Sequence, residues 1–143
     1  MDKLDYRRFK DKYIVRLQKG EEVVETLEKF VKEEKIRLGR ITGIGATDNA
    51  TVGFFDTKEK DYHSKKLTGD MEILNLSGNI SEMEGEPYLH LHITLEDAKG
   101  VLQGGHLNSA VISATGEIII DVIDGVVGRN YDDETGLNLF EFE

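Results

Sequence analysis

Apolar and polar positions along this chain follow two periods, and the change between them marks out the elements. Residues 12–17 alternate: Tyr13, Val15 and Leu17 fall on one side, Lys12, Ile14 and Arg16 on the other, which predicts an opening strand stopped by Gly20. From Glu21 the period becomes helical. Val23, Val24, Leu27, Phe30 and Val31 share one stripe, with Glu21 and Glu22 in the first turn and Lys35 and Arg37 near the end, as the helix dipole prefers. Gly39 is placed to end this helix, whose stripe must pack on a sheet.

Beyond Gly39 only strand and turn patterns recur. Residues 40–46 form a glycine-punctuated strand. Its glycines at 39, 43 and 45 suit a bulge or close backbone approach rather than a phosphate loop, because no Lys-Ser/Thr pair follows them. Residues 51–55 and 61–67 read as strands joined by a charged turn at 56–60, and 71–80 as a long strand with Glu72 on the face of Leu74 and Leu76. An acidic turn at 81–86 leads through Pro87 to a strand at 88–95; after a turn at 96–100 the chain returns from Val101. Strands at 108–114, 117–124, 126–131 and 137–140 complete the chain. One helix and about eight strands joined by hairpin-length turns predict an α+β fold, a mainly antiparallel sheet with one packed amphipathic helix, as a single domain over residues 1–143.

The strand at 88–95 carries the candidate chemistry. Leu89, Leu91, Ile93 and Leu95 make its apolar face, so His90 and His92 sit together on the other, about 6.5–7 Å apart at Cα for a rise of about 3.3 Å per residue. Two imidazoles at that spacing can converge on one ion. His106, after Gly104-Gly105, is the candidate third ligand of a three-histidine site with an open position. The plainer alternative is a polar, half-exposed sheet face with Gly104-Gly105 as an ordinary turn. His63, beside Lys65 and Lys66, reads as a solvated edge residue, with a fourth ligand as its alternative role.

Composition narrows the chemistry. The 143 residues include no cysteine, so disulfides and thiolate sites are excluded and zinc, iron, nickel or manganese would need histidine or oxygen ligands. The formal charge of −10 is uneven: 16 basic against 14 acidic residues lie within 1–70, but only Lys99 and Arg129 oppose 14 acidic residues in 71–143. The half that holds the histidine strand attracts cations and repels phosphate backbones, which disfavours direct nucleic-acid binding. No apolar run has the length of a membrane span, and the charged start at 1–5 is unlike a signal peptide, so a cytoplasmic location without membrane association is expected.

Five blocks, in order, resemble the PPC domain family, the plant and prokaryote conserved domain: Gly39-Arg40-Ile41-Thr42-Gly43-Ile44-Gly45-Ala46, Phe54-Phe55-Asp56, Glu72-Ile73-Leu74-Asn75-Leu76-Ser77-Gly78-Asn79-Ile80, Leu89-His90-Leu91-His92 and Gly104-Gly105-His106-Leu107. The resemblance implies an α+β domain that assembles as a homotrimer. In standalone prokaryotic members it also implies a metal site at the positions of His90, His92 and His106. Plant relatives carry a DNA-binding AT-hook ahead of the domain, which itself mediates protein association. This chain has no Arg-Gly-Arg-Pro segment, so the DNA-binding role of those relatives does not transfer. Where the plant domain reads Gly-Arg-Phe-Glu-Ile-Leu, this chain has Gly69-Asp70-Met71-Glu72-Ile73-Leu74, a charge reversal at Asp70 that changes the association surface.

Two functions are therefore expected from the sequence. The first is a metal-binding homotrimer, with zinc as the ion because three neutral imidazoles suit it, acting as a binding module for a protein or small molecule. The second is a metal-dependent hydrolase or lyase, in which Glu72 would act as general base or orient the bound water, and Asn75 and Asn108 would either bind substrate or, equally, cap a turn or pair a buried carbonyl.

Overall fold

The strands alternate inward and outward about one continuous core, and their ladders place the histidines. In chain order the elements are β1 (Asp5–Phe9), β2 (Lys12–Gln18), α1 (Val23–Glu33), β3 (Gly39–Asp56), β4 (Asp61–Met83), β5 (Glu86–Asp97), β6 (Leu102–Val122), β7 (Gly128–Asp132) and β8 (Leu137–Glu141). The computed structural model describes residues 4–142; positions 1–3, which open the charged start, and Glu143 lie outside the described residues. Among the described residues no helix is long and apolar enough to cross a membrane.

Every strand pairing is antiparallel. The large sheet runs β1-β2-β6-β3-β4-β5, and a further β5–β6 ladder joins its last strand back to the third, so that β3, β4, β5 and β6 form a closed circuit of ladders; β7 and β8 make a separate hairpin. Tight turns close the circuit. Glu84 and Gly85 both take positive φ in the two-residue connection of β4 to β5, the conformation such hairpins require. Asp97 Oδ1 accepts the Lys99 and Val101 amides at 2.9 and 3.0 Å in the turn toward β6.

The alternation read at 12–17 holds, with Tyr13, Val15 and Leu17 all buried in β2. So does the helical stripe, whose Val23, Leu27, Phe30 and Val31 pack into the same core. Each such side chain removed from water contributes about 1.5–3 kcal/mol. The Phe30 ring meets Tyr13 edge-on at 5.4 Å. Glu22, placed by its sequence position in the first helical turn, is instead the N-cap. Its carboxylate accepts the Val24 and Glu25 amides and, at 2.8 Å, the Ala110 amide of β6, fastening the helix start to the sheet.

Three expectations are corrected. The helix ends at Glu33, because Lys35 takes φ +57 and turns the chain; Gly39 instead opens β3, where a Cβ would stand 2.6 Å from the Asp121 carbonyl oxygen. Strands read as separate at 40–46 and 51–55, at 61–67 and 71–80, and at 108–114 and 117–124 are continuous in β3, β4 and β6, since their glycines and bulges bend the ladder without ending it. Finally, Glu72 does not share a face with Leu76. A register shift between Ile73 and Asn75 inserts one residue, so Ile73 and Leu76 both point inward while Glu72 and Leu74 are exposed.

Candidate metal centre

The three histidines predicted from sequence come together outside the core, where β5 meets β6. Leu91, Ile93 and Leu95 are buried beneath β5, which leaves His90 and His92 on its other face. The ladder then pairs His92 directly with His106. Ring centroids stand 5.0 Å apart for His90 and His92, 5.4 Å for His90 and His106, and 5.7 Å for His92 and His106. One nitrogen from each ring lies within 4.8 Å of the other two. Nitrogens bound at about 2.0–2.1 Å around a tetrahedral ion stand about 3.3 Å apart, so ring rotations that draw the three nitrogens together by up to about 1.5 Å would bring this donor set to zinc.

The glycines before His106 make this approach possible. A Cβ on Gly104 would lie 2.1 Å from the Ile93 carbonyl oxygen, and one on Gly105, at φ +152, would lie 2.7 Å from that of Gly53. The pair is thus no ordinary turn: β6 is held between β5 and β3 at a spacing that excludes side chains. Gly104→Ala is expected to destabilise the fold by about 1–3 kcal/mol in urea unfolding and to part His106 from His92. Unchanged stability would contradict this packing.

The electrostatics favour the neutral form of two of the imidazoles, His90 and His106. Burial, then repulsion from His92, His106 and Arg129, pulls His90 down from 6.5 to about 4. His106 is lowered as well, by burial first and His92 second. Neutral rings are the form that coordinates a metal. Because the folded state depresses His90, its stabilising contribution is fully present above pH 6.5 and is lost as the pH falls through about 4. In the metal-free protein, NMR titration is expected to find His90 protonating near pH 4. A midpoint at the ordinary value would refute this environment.

The other candidate residues are not gathered here. Glu72 lines a separate depression with Ile44, Ala46 and Thr115, and Asn75 another with Thr42 and Ser77. His63 is exposed, 3.8 Å from Asp61, and outside the cluster. Asn108 has an indirect role: its Oδ1 accepts the phenol proton of Tyr62, whose ring stands edge-on to His106 at 5.9 Å. Burial raises the Tyr62 phenol above its ordinary range.

Arg129, on β7, is the residue that the sequence patterns did not single out as part of the site. Nε donates to Ser81 Oγ at 2.7 Å, Nη1 to the Asn138 carbonyl and Nη2 to Asn79 Oδ1, both at 2.8 Å. The Tyr88 and Phe140 rings lie 4.6 and 4.5 Å from its guanidinium carbon. The available clue was that Arg129 is one of only two basic residues after residue 70.

A small antiparallel sheet domain with one packed helix and a surface cluster of three imidazoles is the class that this fold and site define. A family profile described as the Plants and Prokaryotes Conserved (PCC) domain matches residues 4–124, and the chain belongs to that family. It is similar to a protein from Bacteroides thetaiotaomicron, described as a candidate DNA-binding protein, at 40% identity and a TM-score of 0.95 with 97% of each chain covered. It is similar also to a metal-containing protein from Archaeoglobus fulgidus, at 33% identity and TM-score 0.85 over 99% of this chain and 100% of that one. A plant- and prokaryote-conserved protein from Pyrococcus horikoshii aligns at 29% identity and TM-score 0.85, covering 100% of this chain and 97% of the other. A bifunctional protein GlmU from a Synechococcus strain shares 32% identity over 127 residues, 87% of this chain; the chain spans only 19% of that protein's length.

Proposed function

We propose that this chain is a metal-binding protein whose His90, His92 and His106 hold one divalent cation, zinc by preference, and that it acts as a homotrimeric binding module. The observation that carries this reading is the convergence of three imidazole nitrogens within 4.8 Å. The metal-containing relative at 33% identity supports it. A divalent ion so held would supply Lewis acidity and a water or ligand position. The residues themselves orient the donors, and burial keeps two of them unprotonated. Metal analysis of protein purified without added zinc tests this: about one ion per chain is expected, lost in His90→Ala and in His106→Ala. Metal content unchanged in both variants would sink the proposal.

Trimer formation is supported by an apolar outward sheet face. Ile14, Ile44, Leu74 and Ile119 are all exposed on adjoining strands, with Ile14 and Ile119 as cross-strand partners. Arg16 and Glu117 are cross-strand neighbours beside them, with the Arg16 guanidinium held by Asp5, so the face offers a second copy apolar surface flanked by charges of both signs. Ile44→Asp is expected to lower the mass seen in sedimentation equilibrium about threefold; an unchanged mass would remove this face from the interface.

The formal charge of −10 works against direct DNA contact, although a similar protein is described as a candidate DNA binder. A titration with DNA at low salt, where phosphate attraction is greatest, tests this; tight binding would overturn the charge argument.

A further inference from the structure

The cleft around the triad differs in charge from the protein that surrounds it. Residues 71–143 hold 14 acidic side chains against 2 basic ones, yet no Asp or Glu lines this cleft of about 510 Å³. Its full positive charge is Arg129. Three of the five N–H groups of that guanidinium go to neutral acceptors, two remain, and among the described residues no carboxylate oxygen lies within the 4.0 Å of an ion pair. A partly buried cation without a counter-charge is costly to hold, and here the flanking aromatic rings offset only part of that cost. The remaining walls are largely apolar, including Phe54, Phe55, Leu137 and Leu139.

We propose that this cleft binds a small organic carboxylate, its anionic end toward Arg129 and the triad and its apolar body against Phe54, Phe55, Leu137 and Leu139. The proposal rests in part on the metal reading, because a divalent ion on three neutral imidazoles adds positive charge that no cleft residue offsets. Arg129 stands independently of the metal. Its two unused N–H groups match in number the two oxygens of a carboxylate, and the volume suits a ligand of modest size. Both the cation and the β8 wall come from residues 128–141, beyond the part of the chain that the family profile matches.

Benzoate and benzyl alcohol, which share an apolar body and differ in charge, provide the test by calorimetry on the full chain. On zinc-loaded protein, benzoate is expected to bind at least tenfold more tightly than benzyl alcohol. Arg129→Gln is expected to reduce that preference at least threefold at unchanged zinc content, the bound ion accounting for what is left. Equal affinity for the two probes, or a preference unchanged in Arg129→Gln, overturns the proposal. Should Arg129→Gln fail to fold, as judged by its thermal melt, the probe pair on the native chain decides alone. Metal analysis separates the two readings. If the chain takes up no zinc, the metal reading has failed, and the probes are compared on metal-free protein: a tenfold preference for benzoate sustains an Arg129-centred site, and equality overturns it.

Discussion

At a thousandfold excess of zinc over its dissociation constant, the native chain is expected to gain about 4 kcal/mol of unfolding free energy, and His106→Ala is expected to cancel that gain. The reason is that binding energy becomes folding energy when the donors meet only in the fold. His106 reaches His92 because β6 returns antiparallel to β5 and pairs with it, an arrangement that unfolding dissolves. Urea unfolding with zinc, and again after a chelator, measures the difference. A stabilisation that persists in His106→Ala would mean that zinc acts elsewhere on the chain.

Leu91 and His92 are adjacent, yet their replacements are expected to have opposite consequences. Leu91 is 2% exposed, so Leu91→Ala leaves a cavity in the core and is expected to cost about 2–5 kcal/mol while the metal content of the folded protein stays the same. His92 is exposed, so His92→Ala is expected to change the stability of metal-free protein by no more than about 0.5 kcal/mol but to abolish metal retention. Chemical unfolding paired with metal analysis reads both. A His92→Ala protein that keeps its metal would show that the other two rings suffice.

The sequence made faces legible more readily than partners. Alternation at Tyr13, Val15 and Leu17, the stripe ending at Phe30 and Val31, and the opposition of His90 and His92 to Leu89, Leu91, Ile93 and Leu95 all depend on local periodicity, which survives into the fold. Continuity was hidden where bulges intervene. The irregularity near Leu74 shifts the inward set from Ile73 to Leu76, so no fixed period across that stretch could place Glu72. The pairing of His92 with His106 depends on register, which a periodicity leaves open. Arg129 was harder still, because its partners Asn79, Ser81 and Asn138 become neighbours only when the last hairpin lies over β4 and β5. β1 was missed for a related reason: all five of its positions are exposed, so it lacks the apolar side that advertises a strand.

That exposure has its own consequence. β1 stands at the open end of the large sheet, where unpaired backbone groups would template growth by a further strand. It is five residues long and carries Asp5, Arg7 and Arg8, so an incoming chain would have to match a short edge and accommodate charges of both signs. At the far end β5 is partly covered by β6. A protein built almost wholly from extended chain is thereby guarded against fibre formation by the segment that contributes least to its interior.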